Sequence, residues 1–111
     1  MYELVSVTFP FADQTNKGKL RPGFVISPSF GKYNQVIVAY VTTKLDEQLE
    51  TDILLNPSDS DFPKTGLKEK SLIKLHRLGT FQPTALKEGQ GFLSHKLITQ
   101  LKKKLMEVFQ L

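Results

Sequence analysis

The run from Val36 to Val41, Val-Ile-Val-Ala-Tyr-Val, constrains the fold of this chain more than any other segment. Every position is apolar or aromatic, and the β-branched residues favour a strand. Because apolar side chains would project from both sides, we expect a central strand that is buried on both faces. The strand leads into Thr42, Thr43 and Lys44, and a strand end holds such side chains rigidly beside the core, where functional residues often lie.

Shorter segments on either side of this run also have strand character. Leu4–Phe9 alternates until Pro10, which has no N–H to donate, ends the ladder. Further strands are predicted at Phe24–Ile26, Thr51–Leu55 and Ser71–His76. Glycines and a proline predict irregular structure or a short turn at Arg77–Leu86, which contains Pro83, and a break at Gly89–Gly91.

The C-terminal segment has a clear helical period. Ser94 is a suitable N-cap residue, and apolar residues follow it at helical spacing: Leu97, Ile98, Leu101, Leu105, Val108 and Phe109. The lysines of Lys102–Lys104 lie largely off this stripe. We favour a helix docked on a sheet over one that binds a membrane or a partner.

These elements predict a mainly β fold, a small and mostly antiparallel barrel with a C-terminal helix. The 111 residues suit one domain, residues 1–111, with a real core. No run approaches the roughly 20 apolar residues of a membrane helix. The first residues read as a strand and not as a signal peptide, so a cytoplasmic protein is expected.

Charge is distributed in zones, and the net charge is +4. Five bases and no acids lie from Lys17 to Lys44, six acids and no bases from Asp46 to Asp61, and five bases with one acid from Lys64 to Arg77. If the two basic zones meet in space, they form a surface suited to a polyanion. The alternative is a set of ordinary solvated faces.

Several kinds of chemistry are excluded or disfavoured. The chain has no cysteine, so disulfides, thiolate metal sites and cysteine nucleophiles are impossible. His76 and His95 lack ligand spacing, and no metal or other cofactor is predicted. A carboxylate metal site built from Asp46, Asp52, Asp59 and Asp61 stays open, although these residues lie in turn-like sequence.

Arg21 and Thr42 are the candidates for chemistry at the strand ends. Pro22 restricts Arg21 to an extended conformation and so fixes the direction of its side chain. A guanidinium group matches two phosphate oxygens, and a threonine hydroxyl can donate to a third. RNA supplies its own nucleophile, the 2′-hydroxyl, so such residues suffice for phosphate chemistry without a metal. An arginine and a threonine on strands are, however, often purely structural.

Four segments are distinctive in their order and spacing: Leu4–Asp13, Lys19–Ser27 (Lys-Leu-Arg-Pro-Gly-Phe-Val-Ile-Ser), Ile37–Thr43 and Gly66–Leu75 with Leu78–Thr80. In this order they resemble segments of the MazF/PemK/Kid family of toxins from type II toxin–antitoxin systems. With the closing helix, the likeness spans nearly the whole chain.

This resemblance implies an SH3-like barrel, usually a homodimer, that cleaves single-stranded RNA or mRNA without metal. The products would be a 2′,3′-cyclic phosphate and a 5′-hydroxyl. Arg21 and Thr42 fall on the family's catalytic residues, and the loop from Phe11 to Leu20 falls on its mobile loop over the RNA. An antitoxin with an acidic, disordered tail would occupy the same groove.

Further residues are expected to line this groove. Lys17, Lys19, Thr43, Lys44 and Lys74 are predicted to bind RNA. Some family members carry Arg, Asp and Arg where this chain has Lys74, His76 and Gly79. Histidine exchanges protons near neutral pH, so His76 is a candidate acid or base, or else a surface strand residue. His95 is expected to be structural or solvated.

These departures keep other functions open. A second hypothesis is a non-catalytic barrel that binds RNA or a protein target such as a topoisomerase. A third is a DNA-binding or purely structural barrel.

Overall fold

In a computed structural model, residues 1–11 and 19–111 are described, and they form six strands and one α-helix. The elements are β1 (Glu3–Val7), β2 (Arg21–Val25), β3 (Val36–Thr42), β4 (Ile53–Leu55), β5 (Ser71–Phe81), β6 (Lys87–Phe92) and α1 (His95–Phe109). Two 3₁₀ helices, Phe62–Thr65 and Pro83–Ala85, lie on either side of β5. No helix among the described residues is both long and apolar enough to cross a bilayer.

The strands form one antiparallel sheet with the order β4-β5-β3-β2-β1-β6. β3 lies inside the sheet, and its residues from Val38 to Val41 are all buried. The prediction of a central strand covered on both faces is therefore confirmed. The mainly β fold with a C-terminal helix is confirmed as well, as a curved sheet with β4 and β6 at its two edges.

Each face of the sheet carries its own apolar cluster. Alternate residues of β3 supply both, since Ala39 and Val41 belong to the cluster under α1 while Val38 and Tyr40 belong to the other. β1 divides in the same way between Leu4 on one face and Val5 and Val7 on the other. This division follows directly from the period of two along a strand.

Helix α1 covers one cluster, as predicted. Its N-cap is Ser94, whose hydroxyl accepts a hydrogen bond from the Leu97 N–H at 3.4 Å and donates one to Asp61 at 2.7 Å. Leu97 and Leu101 are buried against the sheet. The predicted apolar stripe extends further than the buried surface of the helix. Phe109, at the end of the helix, is 57% exposed because the helix runs past the core.

Two predictions about the second half of the chain are wrong. Arg77–Phe81 is not irregular but continues β5, because Leu78–Phe81 pairs with Val36–Ala39 of β3. Gly89–Gly91 is not a break in the strand but lies inside β6, at the point where its register against β1 shifts. At Gly79, pairing with a distant strand overrides the local preference of glycine. The turn predicted at Pro83 is present, but only as the short 3₁₀ helix after β5.

The pairing of β5 with β3 has one irregularity. Ala39 pairs with Leu78, but the next residue, Tyr40, pairs with Lys74. Leu75, His76 and Arg77 therefore fall between two consecutive pairs and form a bulge. Such a bulge bends its strand and re-aims its side chains. Here Leu75 enters the core while His76 and Arg77 are exposed.

Candidate active site

Arg21 and Thr42 line the same hollow, together with Pro22, Thr43 and Lys44. Their meeting follows from strand pairing. Gly23 in β2 pairs with Tyr40 in β3, and the same antiparallel register extended by two residues sets Arg21 opposite Thr42. Arg21 begins its strand and Thr42 ends the neighbouring one. Both half-buried side chains therefore lie at the same end of the sheet.

The turn after β3 fixes the local backbone. The Thr42 hydroxyl oxygen accepts a hydrogen bond from the Lys44 N–H at 3.1 Å. Such a side-chain bond to the backbone two residues ahead is a common way to stabilise a turn. It leaves the hydroxyl hydrogen of Thr42 able to donate to an oxygen in the hollow.

A second hollow, of about 360 Å³, continues from the first and shares Tyr40, Thr42 and Lys44 with it. Its other lining residues are Asp46, Glu47, Leu49, Lys74, His76 and Arg77. We call the two hollows together the groove. Its basic side joins cations from the first and third basic zones, as anticipated, because β2, β3 and β5 are neighbours in the sheet.

The bulge in β5 places His76 and Arg77 in the groove. The Arg77 guanidinium carbon lies 5.5 Å from the centre of the Phe11 ring and 5.9 Å from that of Tyr40. These rings belong to a cluster with Phe9 and Phe81, with centroid separations of 5.1–5.8 Å. A guanidinium held over aromatic faces is oriented and keeps its edge for a ligand.

Arg77 and the aromatic rings beside it were not predicted as site residues. The sequence offered one signal, the position of Arg77 in the third basic zone beside His76. Regular alternation would have put adjacent residues on opposite faces of the strand. Only the bulge brings both into the groove.

Lys74 also borders the groove, but its ammonium group is already paired. Lys74 Nζ lies 2.6 Å from Asp52 Oδ2, and the Lys74 side chain is only 11% exposed. The same nitrogen donates to the Glu47 carbonyl oxygen at 2.9 Å. A direct contact between Lys74 and RNA remains a prediction, and the geometry gives this residue a different set of partners.

The other predicted residues have simpler surroundings. Thr43 and Lys44 line the groove and are exposed. Lys19 is exposed just before β2 and is not part of the groove lining, and His95 is exposed at the start of α1. Lys17 and most of the loop expected from Phe11 to Leu20 lie outside the described residues.

The acidic residues that left a metal site open are dispersed. Asp52 is bonded to Lys74, and Asp61 accepts from Ser94. Across residues 1–11 and 19–111, no three histidine, aspartate or glutamate side chains are grouped so that they could hold a metal ion. The groove instead offers a guanidinium, a hydroxyl, an imidazole and a second guanidinium, a set suited to binding and proton transfer at a phosphodiester.

Comparison with known proteins relates this arrangement to one family. The family model described as PemK-like, MazF-like toxin of type II toxin-antitoxin system matches residues 2–109. Among curated proteins, none matches the chain.

Solved structures share the fold. An endoribonuclease in complex with its cognate antitoxin from Mycobacterial species superposes with a TM-score of 0.70 at 14% identity, covering 99% of this chain and 93% of the other. The Mycobacterium tuberculosis toxin MazF-mt6 gives 0.69 at 19% identity, covering 96% of each chain. MazF from Deinococcus radiodurans gives 0.69 at 16% identity, covering 99% of this chain and 94% of the other. At such identities these likenesses concern the fold alone.

Proposed function

Since the chain belongs to the PemK-like, MazF-like family of toxins of type II toxin–antitoxin systems, we propose that it is a metal-independent endoribonuclease that cuts single-stranded RNA at short sequences. The observation that carries this proposal is the meeting of Arg21 and Thr42 in one hollow at the adjoining ends of β2 and β3. Residues 1–111 act as a single toxin domain in this proposal.

The reaction needs little from the protein beyond charge and proton transfer. The 2′-hydroxyl oxygen of one nucleotide attacks the adjacent phosphorus, and the bond from phosphorus to the 5′-oxygen breaks. The 2′-hydroxyl loses its proton, and the leaving 5′-oxygen gains one. The products are a 2′,3′-cyclic phosphate and a 5′-hydroxyl, and no water or metal is consumed.

Arg21 and Thr42 are assigned to the scissile phosphate. The Arg21 guanidinium would bind two nonbridging oxygens and stabilise the charge that develops on them. The Thr42 hydroxyl would donate to the same phosphate. His76, which shares the second hollow with Thr42, is the candidate for moving a proton.

RNA on either side of the cut would lie along the groove. Lys44 and Thr43 line it near the scissile phosphate, and Arg77 lies beyond them. Lys17, which lies outside the described residues, and Lys19, which precedes β2, are also proposed to bind RNA. Each of these is a cation or a hydroxyl, which suits contact with phosphate and sugar.

The partners follow from the same groove. We propose an antitoxin with an acidic, disordered tail that occupies it and excludes RNA, and a toxin that acts as a homodimer in the cytoplasm, where mRNA is accessible. The structure similar to this chain that contains a cognate antitoxin supports such a partner.

The deciding experiment compares wild-type and Arg21→Ala proteins on a long single-stranded RNA in EDTA, with 5′-end mapping of the products. We expect discrete cuts with 5′-hydroxyl ends from the wild type, and a loss of at least about 100-fold in the variant, as when one oxyanion donor is removed. Equal cutting by both proteins would remove Arg21 from the mechanism.

Other outcomes separate the remaining hypotheses. RNA that is bound but stays intact would favour the non-catalytic barrel, and cutting only after Mg²⁺ is restored would favour the acidic residues. A His76→Gln protein that cuts at the wild-type rate would remove His76 and leave Arg21 and Thr42 in place.

A further inference from the structure

The buried ion pair between Lys74 and Asp52 holds a segment of backbone as well as balancing charge. Lys74 Nζ donates to the Glu47 carbonyl oxygen at 2.9 Å, and Asp52 Oδ2 accepts from the Leu49 N–H at 2.8 Å. The two charged groups lie 2.6 Å apart, and the Asp52 side chain has no exposed surface. Both partners are thus bonded to the run of residues 45–51, which we call the 45–51 segment.

The 45–51 segment has no strand partner of its own. It connects β3 to β4 as turns and bends. Besides the ion pair, the Lys104 ammonium of α1 donates to the Glu50 carbonyl oxygen. The backbone of the 45–51 segment is therefore held by hydrogen bonds to three side chains: Lys74 of β5, Lys104 of α1, and Asp52, which directly follows the segment.

This segment forms one side of the groove. Asp46, Glu47 and Leu49 line the second hollow, which His76 and Arg77 also line. A shift of the segment would change the width of the groove without moving Arg21 or Thr42, which stand on paired strands.

A buried ion pair is an inefficient way to stabilise a fold. Removing two charges from water costs much of what their attraction returns, and apolar residues of similar size often stabilise as well or better. Here Asp52 Oδ1 is also buried and has no hydrogen-bond partner among the described residues. What the pair supplies, and apolar side chains could not, is directed bonds to the backbone of the 45–51 segment.

We propose that Lys74 and Asp52 are positioning residues that hold the 45–51 segment as a fixed wall of the groove and so set how tightly the RNA is held, without touching the RNA. The proposal rests on the proposed RNA-cutting function. It assigns to Lys74 a role other than the direct RNA contact that the sequence predicted.

The two roles of Lys74 differ in their dependence on salt. A lysine that contacts a phosphate of single-stranded RNA releases counterions and contributes about 0.7 to the slope of log affinity against log salt. A lysine neutralised by a buried carboxylate and remote from the RNA contributes nothing to that slope. Affinity and slope measured together therefore separate positioning from direct contact.

The test uses the double variant Lys74→Met with Asp52→Leu, which replaces both charges by apolar side chains and leaves neither uncompensated. Its fold is checked by thermal unfolding, and Asp52→Asn serves as a second variant that keeps the shape of the side chain. The probe is an oligonucleotide of the mapped cut sequence with a single 2′-deoxy sugar at the cut, which cannot be cleaved. Lys44→Met is the matched exposed groove cation, and Lys103→Met on the outer face of α1 is the control.

We expect the double variant to unfold at or above the wild-type temperature and to bind the probe at least about tenfold more weakly, since both hydrogen bonds between the charged pair and the 45–51 segment are lost. Its salt slope should equal that of the wild type, whereas Lys44→Met should lower the magnitude of the slope by about 0.7. Single-turnover cutting at saturating RNA should stay within about twofold of wild type, because Arg21 and Thr42 are undisturbed.

Three results would overturn the proposal. A slope lowered as in Lys44→Met would mean that Lys74 touches phosphate, and wild-type affinity in a stable double variant would mean that the pair is only structural. Asp52→Asn, whose amide oxygen can still accept from the Leu49 N–H, should bind the probe more tightly than the double variant does. Wild-type protein that neither binds nor cuts RNA would overturn the proposed function itself, and this proposal with it.

Discussion

Arg77 shows how the surroundings of a single residue decide its role. Its guanidinium is held over Phe11 and Tyr40, and Phe11 is 37% exposed at the rim of the groove. Lys44, by contrast, is an exposed lysine on a flexible stem. Orientation lowers the entropy that an arginine loses when it binds phosphate. Arg77 should therefore contribute more to RNA affinity than its charge alone.

Substitution of Arg77 tests this at the residue scale. Arg77→Gln should weaken binding of the uncleavable oligonucleotide about tenfold, the typical loss for one hydrogen bond to a charged group. Arg77→Lys should recover less than half of that free energy, because lysine keeps the charge but not the planar fork. The measurement is the dissociation constant at fixed salt. Full recovery by lysine would show that charge alone matters and that the aromatic rings do not.

At the scale of elements, the approach of the 3₁₀ helix Phe62–Thr65 to β6 depends on a glycine. Gly66 ends this helix with a φ of +76°, and a Cβ there would overlap the Gln90 carbonyl oxygen of β6. Gly31, in the turn between β2 and β3, has a φ of +70°, and no atom of the described residues lies near its Cβ position. The two glycines therefore share a positive φ and differ in crowding.

Alanine substitutions at the two positions separate the free-energy cost of the positive φ from that of the steric overlap. Gly31→Ala should lower the free energy of unfolding by about 1 kcal/mol, the cost of a left-handed residue with a side chain. Gly66→Ala should lower it by a further 1–3 kcal/mol or so, because backbone must move to admit the methyl group. Urea unfolding of both variants gives the comparison. Equal losses would show that the 3₁₀ helix and β6 can separate at little cost.

At the scale of the whole molecule, charge is spread unevenly. Arg21, Lys44 and Arg77 face the groove, whereas Lys74 is neutralised by Asp52. The lysines of α1 lie on another part of the surface: Lys102 and Lys103 are exposed, and Lys104 is tied to Glu50 and lies 3.6 Å from Glu107. The affinity for RNA therefore depends on the number of cations that contact the RNA and not on the net charge of +4.

The salt dependence of binding reports the number of cations that contact the RNA. Three groove cations at about 0.7 each predict a slope of about −2 for log affinity against log salt with single-stranded RNA. The uncleavable oligonucleotide, titrated at several salt concentrations, provides the measurement. A slope steeper than about −4 would mean that further cations contact the RNA, such as Lys19 or the lysines of α1. A slope near zero would contradict phosphate contacts altogether.

The sequence by itself determined the elements whose signals are local. Val36–Val41 is apolar at each position, so it could only be an inner strand, and the helical period after Ser94 specified the helix and its cap. Pro22 restricts Arg21 to an extended conformation, which is also a local effect of the sequence. Arg21 and Thr42 could be selected as candidates because each stands at a strand end and falls on a catalytic residue of the family that the sequence resembles.

The tertiary structure decided everything that depends on pairing between distant segments. β6 and the second half of β5 form because β1 and β3 pair with them, and at Gly79 this pairing prevails over the local preference of glycine. The bulge that brings His76 and Arg77 into the groove, and the burial of Lys74 against Asp52, depend on the register of β5 against β3 and on the path of the 45–51 segment. Register is set by how whole faces pack, so no local pattern in the chain carries that information.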